Sequence, residues 1–148
     1  LGDVYKRQMD NSAQFRILHT ISGRSIPETA EMLGEKNTRN VDNWIKSVNP
    51  RNQNVLNMMQ DEDDKENNWI RATVKAVTEF IDQMEEAQGT APAYLTMSYY
   101  QTEEDYLQSP QGFKQFNIPY RQYLARQARL CTVLTYLGYR VQFSYIVM

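Results

Sequence analysis

Arg39, Asn40 and Asn43 are residue types that can read the edges of base pairs, and they lie within one short stretch of the chain. An arginine guanidinium pairs with guanine through two hydrogen bonds, and an asparagine amide pairs with adenine in the same way. In a helix through this stretch, the apolar side chains fall on the opposite face (Val41, Trp44, Ile45). The pattern therefore predicts a helix with a buried apolar side, whose polar side is either a base-reading surface or simply solvated.

The residues before this helix predict the elements that would position it. Ser25 and Glu28 have the spacing of a capping box, in which each side chain accepts a hydrogen bond from the other residue's amide. Pro27 is tolerated in the first turn of a helix, and Gly34 suits the left-handed residue that follows its end. An earlier amphipathic helix is predicted over residues 13–22.

Residues 12–59 are therefore predicted to form a helix-turn-helix module, closed by a short fourth helix at residues 55–59. In such a module two helices meet at a fixed angle across a tight turn, and the second helix can place its N-terminal residues in the major groove. Asn37 or Thr38 is expected to cap that second helix.

A long helix is predicted from about residue 61 to residue 87. Its first residues are acidic, which suits the positive end of the helix dipole, and this acidic run is interpreted as a solvated helix start. An apolar stripe follows at three- and four-residue steps (Trp69, Thr73, Val77, Ile81, Met84, with Ile70, Val74 and Phe80 alongside). The stripe is longer than a small four-helix module needs, so part of it should pack on the C-terminal half or on a second subunit.

The C-terminal part is predicted to be a small α/β piece, with strands at residues 94–100 and 140–147. Thr102 opens a short helix through a capping box, and a stronger helix follows at residues 119–137. The apolar face of the stronger helix is predicted to hold Leu124, Ala128, Cys131, Leu134 and Leu137. The last strand alternates and should be half-buried. Tyrosines of this part suit core or dimer packing better than stacking on single strands (Tyr94, Tyr99, Tyr100, Tyr106, Tyr120, Tyr123). The predicted fold class is α+β, mostly α.

Composition argues against several classes of protein. The chain has 148 residues, a net charge of −2, one cysteine and one histidine. A single cysteine excludes an internal disulfide or a cysteine-based metal cluster, and Cys131 and His19 are expected to be packing residues without functional partners. No apolar run has the roughly 18 residues that span a bilayer. We therefore expect a protein of the reducing cytoplasm, with no membrane contact, metal or cofactor. No nucleophile–base pair or phosphate loop points to an enzyme.

Charge is distributed unevenly along the chain. Residues 61–90 carry nine acidic and three basic side chains, whereas residues 9–60 carry five and six. The near-neutral N-terminal part gives weak support to nucleic-acid binding, because phosphate neutralisation supplies much of such affinity.

Four segments are predicted along the chain. The first eight residues, LGDVYKRQ, look like translated linker, and Met9 is the expected start. A helix-turn-helix domain at residues 9–60, a connecting helix at 61–88 and a dimerisation region at 89–148 follow this segment.

The run ETAEMLGEKNTRNVDNW resembles the Xre/Cro-type repressors, in which a polar cap precedes alanine, two apolar residues and glycine. The spacing from Gly34 to Trp44 is similar to that of a subgroup that includes the YdiL-like proteins and the anti-CRISPR-associated regulators. The runs PYRQYLARQARLCTVLTYLGY and RVQFSYIV also resemble the C-terminal helix and last strand of that subgroup. The resemblance implies a homodimeric phage or bacterial repressor that binds double-stranded DNA at an inverted repeat, with the C-terminal half forming the dimer.

On this resemblance and on the helix geometry, Arg39, Asn40 and Asn43 are expected to contact base edges. Phosphate contacts are expected from the neighbouring polar and basic side chains (Lys36, Thr38, Lys46, Arg51). A second hypothesis stays open, namely a protein–protein interaction adaptor that keeps the helix-turn-helix scaffold without binding DNA. The near-neutral charge and Asp42 favour this adaptor, since a carboxylate on the reading helix repels phosphates.

Overall fold

The computed structural model describes residues 2–147, with side chains described for residues 11–147. The described chain is mostly helical and carries a small two-stranded sheet, which confirms the predicted class. Its elements in chain order are α1 (Gly2–Ser22), α2 (Ile26–Met32), α3 (Arg39–Lys46), α4 (Gln53–Gln88), β1 (Leu95–Tyr99), α5 (Glu103–Gln108), α6 (Phe113–Phe116), α7 (Tyr120–Tyr136) and β2 (Val141–Tyr145). They divide into two compact units, one ending at Lys65 and the other beginning at Glu66.

α1 begins well before its predicted start at residue 13, because no glycine or proline interrupts residues 3–22. The segment interpreted as linker-derived is therefore helical from Gly2 onward. Leu1 of that segment and Met148 of the predicted dimerisation region lie outside the described residues. The end of α1 is as predicted, since Gly23 follows it with a φ of 75°, which glycine adopts without steric cost.

α4 is one continuous helix, so the predicted break before residue 61 is wrong. The sequence of α4 contains no glycine or proline, and no other signal ends a helix there. The acidic residues consequently lie inside the helix and bond along it. Gln60 donates to Asp64 at 3.1 Å, and Lys65 pairs with Glu62 at 2.9 Å. These carboxylates are therefore not a helix start facing the dipole.

The first unit has a core built from α1, α2, α3 and the beginning of α4. Its buried apolar residues are mainly those that helical spacing predicts (Phe15, Leu18, Ala30, Leu33, Val41, Trp44, Val55, Leu56, Met59). An ion pair between Arg24 and Glu62, with N and O 3.0 Å apart, joins the connection before α2 to α4. The predicted fourth helix thus contributes to this core, but as the first turns of α4.

The second unit contains a parallel pair of strands, in register from Leu95 opposite Val141 to Tyr99 opposite Tyr145. Parallel strands need a long crossover, and here α5, α6 and α7 supply it. One face of the pair is apolar, whereas the other face is polar (Thr96, Ser98, Gln142, Ser144). β2 is more exposed than predicted, since Phe143 and Tyr145 remain 50% and 52% exposed.

The buried face of α7 differs from the predicted one. Ala128 and Leu137 are exposed, while the inward residues include two polar side chains (Gln122, Tyr123, Arg126, Leu130, Leu134). Arg126 belongs to this face because it meets the buried carboxylate of Glu66 in α4. The prediction from hydrophobic periodicity placed the buried side of α7 on a neighbouring face, because such a pattern treats every arginine as a surface residue.

Glu66 and Arg126 form a buried ion pair with two hydrogen bonds, from Nε to Oε2 and from Nη2 to Oε1, each 2.7 Å long. The Gln122 amide donates to the same carboxylate, and the guanidinium lies 4.8 Å from the centre of the Trp69 ring. Burial acts to raise the pKa of Glu66, but the hydrogen bonds from Arg126 and Gln122 and the guanidinium charge outweigh it, so this pKa is lowered. The interpretation of the acidic run as solvated is therefore wrong at Glu66.

Tyrosines build a second cluster in this unit, with Tyr100, Tyr106 and Tyr123 buried together. The Tyr106 hydroxyl donates to the Ile118 carbonyl oxygen at 2.7 Å, which satisfies a polar group that would be costly to bury alone. Burial raises the pKa of Tyr123 to about 12. The prediction that tyrosines serve packing is confirmed for these three residues.

Among the described residues, no helix combines the length and the apolar character needed to cross a membrane. The same residues contain no group of three or more histidine, cysteine or acidic side chains that could hold a metal ion.

Candidate nucleic-acid interface

The N-terminus of α2 shows the local chemistry that the sequence predicts. The Ser25 amide donates to Glu28 Oε1 at 2.8 Å, and the Glu28 amide donates to Ser25 Oγ at 3.3 Å, so the capping box is complete. After α2 the chain turns at Gly34, whose φ is +74°. Residues that carry a Cβ adopt this backbone conformation only under strain. The connection to α3 is therefore tight, and its geometry follows from these local residues.

The start of α3 is held by Asn37 rather than by Thr38, the two residues that the sequence left open. Asn37 Oδ1 accepts a hydrogen bond from the Arg39 amide at 3.0 Å. Thr38 occupies the N-cap position, but its side chain makes no capping hydrogen bond. The Thr38 hydroxyl thus remains available at the surface.

The inner side of α3 is anchored to α1. Val41 is fully buried and Trp44 is 3% exposed. The Trp44 indole meets the Phe15 ring edge to face, with ring centres 5.5 Å apart, and Ser12 Oγ donates to the Trp44 carbonyl oxygen at 2.9 Å. Apolar packing and a buried hydrogen bond together fix which face of α3 points outward.

His19 links α1 to α2, which corrects the expectation that it has no partner. Its Nδ1 lies 2.9 Å from Thr29 Oγ1, and its ring stacks on Phe15. Burial, followed by the charge of Arg24, lowers the pKa of His19. A neutral imidazole that bonds a buried threonine is a packing residue.

All seven residues that the sequence predicts to contact DNA are exposed (Lys36, Thr38, Arg39, Asn40, Asn43, Lys46, Arg51). On α3, Arg39, Asn43 and Lys46 follow at steps of four and three, so they share one stripe of the helix surface. The side chains of Arg39, Asn43 and Lys36 make no hydrogen bond or ion pair to another of the described residues. They can therefore meet a ligand without first breaking a contact of that kind.

Glu35 binds two of the other candidates. Its carboxylate accepts from Asn40 Nδ2 at 3.2 Å and forms an ion pair with Arg51 Nη1. The Arg51 guanidinium also lies 5.5 Å from the centre of the Trp44 ring. An adenine contact uses both a donor and the acceptor of an asparagine amide, so Asn40 must leave Glu35 or use its second N–H. The carboxylate also offsets the charge of Arg51, which weakens the case for Arg51 as a phosphate contact.

Lys46 is paired with Asp42 one turn earlier, with Nζ and Oδ2 2.8 Å apart. The two side chains are 68% and 40% exposed. Exposed pairs at this helical spacing contribute only about 0.3–0.5 kcal/mol, so a phosphate group can take the place of Asp42. Lys46 consequently remains a candidate phosphate contact, at the cost of one weak pair.

Sequence reasoning missed the links made by Glu35 and by Ser12. The pair of Asp42 and Lys46 could have been found, because a carboxylate four residues before a lysine is a recognised helical spacing. Glu35 and Arg51 are joined across a turn and a whole helix, and no periodic pattern marks such a contact. The same holds for the hydrogen bond from α1 to the end of α3.

No protein-family model, curated protein or solved structure matches this chain. Any proposal of function therefore rests on the residues and geometry of the two units themselves.

Proposed function

We propose that this chain is a sequence-specific DNA-binding transcriptional regulator, a homodimeric repressor that acts in the cytoplasm on an inverted-repeat operator. The observation that carries the proposal is the outer face of α3. Arg39 and Asn43 lie there exposed and unbonded to other described side chains, on a helix whose inner face is fixed by Trp44. In this proposal α2 and α3 are the two helices of a helix-turn-helix, and α3 enters the major groove.

The residue types on this face support the proposal. The major groove admits an α-helix and presents a distinct pattern of donors and acceptors for each base pair. Arg39, in the first turn of α3, suits guanine, and Asn43, one turn later, suits adenine. Lys36 and Thr38 precede the helix and suit phosphate oxygens, which orient a protein without reading sequence.

Selection from a library of random DNA duplexes tests the proposal directly. Incubated with the full chain at low salt, the library is expected to yield a short palindrome, because two copies related by a two-fold axis read two inverted half-sites. Failure of any palindrome to enrich at low salt would contradict DNA reading by a dimer.

Arg39→Ala is expected to weaken binding to the selected palindrome by about 1–3 kcal/mol and to relax preference at one base pair of each half-site. Arg39→Lys is the matched control, since it keeps the charge but loses the paired hydrogen bonds to guanine. Titration of the selected duplex and of its single-base variants measures both effects. If Arg39→Ala instead weakens all duplexes equally and Arg39→Lys restores them, Arg39 contacts phosphate rather than a base.

An adaptor without DNA affinity is the second candidate, and the carboxylates on this face favour it. Glu35 offsets Arg51, and Asp42 pairs with Lys46, so two of the expected phosphate contacts carry little free charge. An adaptor predicts that no duplex is enriched and that Arg39→Ala leaves DNA retention unchanged at every salt concentration.

A further inference from the structure

The second unit has an open apolar groove between α4 and β1, with a volume of about 530 Å³. Its walls include Val77 and Phe80 of α4 and Leu95 and Met97 of β1. Phe80 remains 59% exposed. A groove with this lining leaves apolar surface in water, which is unfavourable at about 25 cal/mol per Å².

The edge of β1 beside this groove carries main-chain groups that are not paired with any of the described residues. The Leu95 amide donates to the Arg140 carbonyl oxygen at 2.8 Å, and the Tyr99 carbonyl oxygen accepts from the Ile146 amide at 2.9 Å. The main-chain groups of these residues therefore point toward β2. Because neighbouring residues of a strand point theirs to opposite sides, the N–H and C=O groups of Thr96 and Ser98 face away from β2. They form an open sheet edge, which is a template for a further strand.

We propose that a second copy of this chain occupies the groove, with β1 of one copy pairing antiparallel to β1 of the other. The proposal rests on the homodimer of the proposed function and names its interface. A two-fold axis brings identical patches together and makes their strands antiparallel. With the axis at Met97, Thr96 exchanges hydrogen bonds with Ser98 of the second copy, and the two short sheets become one sheet of four strands.

A second strand satisfies both features of this edge at once. It pairs the outward groups of Thr96 and Ser98, and its own apolar face covers the groove. A small molecule would fill the groove but leave the main-chain groups unpaired. The polar side-chain groups available to orient such a molecule are also few, since only three of the twelve lining residues carry a hydroxyl and none is charged (Thr73, Tyr94, Thr96).

The size of the patch fits a weak dimer. Standard interfaces use roughly 20–30 residues and about 800 Å² on each partner, or about 30 Å² per residue. The twelve residues that line the groove, together with Ser98 and Tyr99, then correspond to about 420 Å² per copy. The total of about 840 Å² lies below the ~1,000 Å² at which stable specific interfaces begin, in the range of weak and transient contacts.

Cysteine cross-linking tests the position of the axis. In a chain carrying Cys131→Ser, Met97→Cys places two thiols on opposite strands at the axis, where Cα atoms are about 4.5 Å apart. That distance lies within the range that a disulfide spans. We expect mild oxidation to convert most of this variant into a covalent dimer. Phe143→Cys in the same background is the matched control, because Phe143 is the register neighbour of Met97 on β2 and should give no covalent dimer.

Phe80→Lys provides a second test that does not depend on oxidation. Placing an unpaired charge in the groove is expected to raise the dissociation constant of the dimer at least tenfold, as measured by light scattering over a concentration series. Tyr136→Lys is the control, since Tyr136 is 89% exposed and lies outside the groove. Neither substitution removes a buried side chain, so both variants should fold.

Several outcomes overturn the proposal. A chain that is monomeric at all concentrations contradicts it. A covalent dimer that forms through position 143 instead of position 97 also contradicts it, because it would place the interface at the edge of β2. A dimer whose dissociation constant is unchanged by Phe80→Lys also contradicts it. None of these measurements uses DNA, so their result is independent of the duplex selection. If the Met97→Cys cross-link fails to form but the selection yields a palindrome, only the proposed interface is rejected. If the cross-link forms but the selection yields no palindrome, only the proposed reading of DNA is rejected.

Discussion

Arg126→Met is expected to destabilise the second unit by about 3–5 kcal/mol, because it leaves the Glu66 carboxylate buried without its partner. Both side chains are less than a tenth exposed, and the guanidinium supplies two of the hydrogen bonds to that carboxylate. Urea unfolding with fluorescence detection measures the loss. The chain has two tryptophans, so a Trp44→Phe background leaves Trp69 to report on the second unit.

The double variant Glu66→Leu/Arg126→Met is the control for this prediction. A buried ion pair that is replaced by apolar side chains of similar volume usually costs little, whereas removal of one partner costs much. The double variant should therefore recover most of the lost stability. If it were as unstable as Arg126→Met, the loss would come from packing against Trp69 and Phe116 rather than from the unpaired charge.

The dependence on pH provides a further test of the same pair. Because the pKa of Glu66 is lowered in the folded chain, the contribution of this carboxylate is present above its unfolded pKa and is lost as pH falls through the folded value. Arg126→Met removes the hydrogen bonds and the charge that Arg126 contributes to lowering this pKa, so we expect burial to raise the pKa of Glu66 in the variant and the variant to gain stability as the carboxyl becomes protonated. The gap between the two proteins should therefore shrink as the pH is lowered toward 4. A gap that is independent of pH would contradict this account.

Trp44→Ala is expected to destabilise the first unit by about 3–5 kcal/mol, the usual cost of truncating a buried large aromatic residue. The indole contacts Phe15 and carries the guanidinium of Arg51 above it, so the cavity would lie directly behind the outer face of α3. The variant should lose binding to the selected palindrome, because α3 is no longer held in one orientation. Hydrogen exchange of the amides of residues 11–59 measures the loss of stability.

Two controls separate this effect from a general one. Ile17→Ala removes apolar atoms from a residue of α1 that is 58% exposed, and it should change stability by no more than about 0.5 kcal/mol. Cross-linking of Met97→Cys reports on the second unit and should be unaffected by Trp44→Ala. Retained palindrome binding in Trp44→Ala would show that α3 is not the reading helix.

Local signals in the sequence predicted much of the fold because they act over a few residues. The capping box of Ser25 and Glu28, the turn at Gly34 and the alternation of the two strands each depend on neighbours along the chain. The continuity of α4 was open to the same reasoning, since its sequence contains no helix breaker. The acidic residues of α4 were mistaken for a helix start because a first turn favours the same residue types as an exposed helix interior.

The candidate interface was predictable in its residue types but not in its internal contacts. The helical spacing of Val41 and Trp44 identified the inward face of α3 and therefore also its outward face. All seven candidates on and around the outward face are exposed. The link from Glu35 to Arg51 was not predictable, because it depends on how the turn between α2 and α3 brings distant residues together. That contact determines which of the basic side chains carry free charge.

The sequence alone thus led to the proposal that this chain reads base pairs, because Arg39 and Asn43 lie on the polar face of a helix whose opposite face is apolar. Only the tertiary structure decided which neighbours are engaged, and only it placed Arg126 in a core. A lone guanidinium is too costly to bury, so sequence periodicity assigns it to the surface. It turns inward here because Glu66, sixty positions earlier, lies opposite it once both helices have packed.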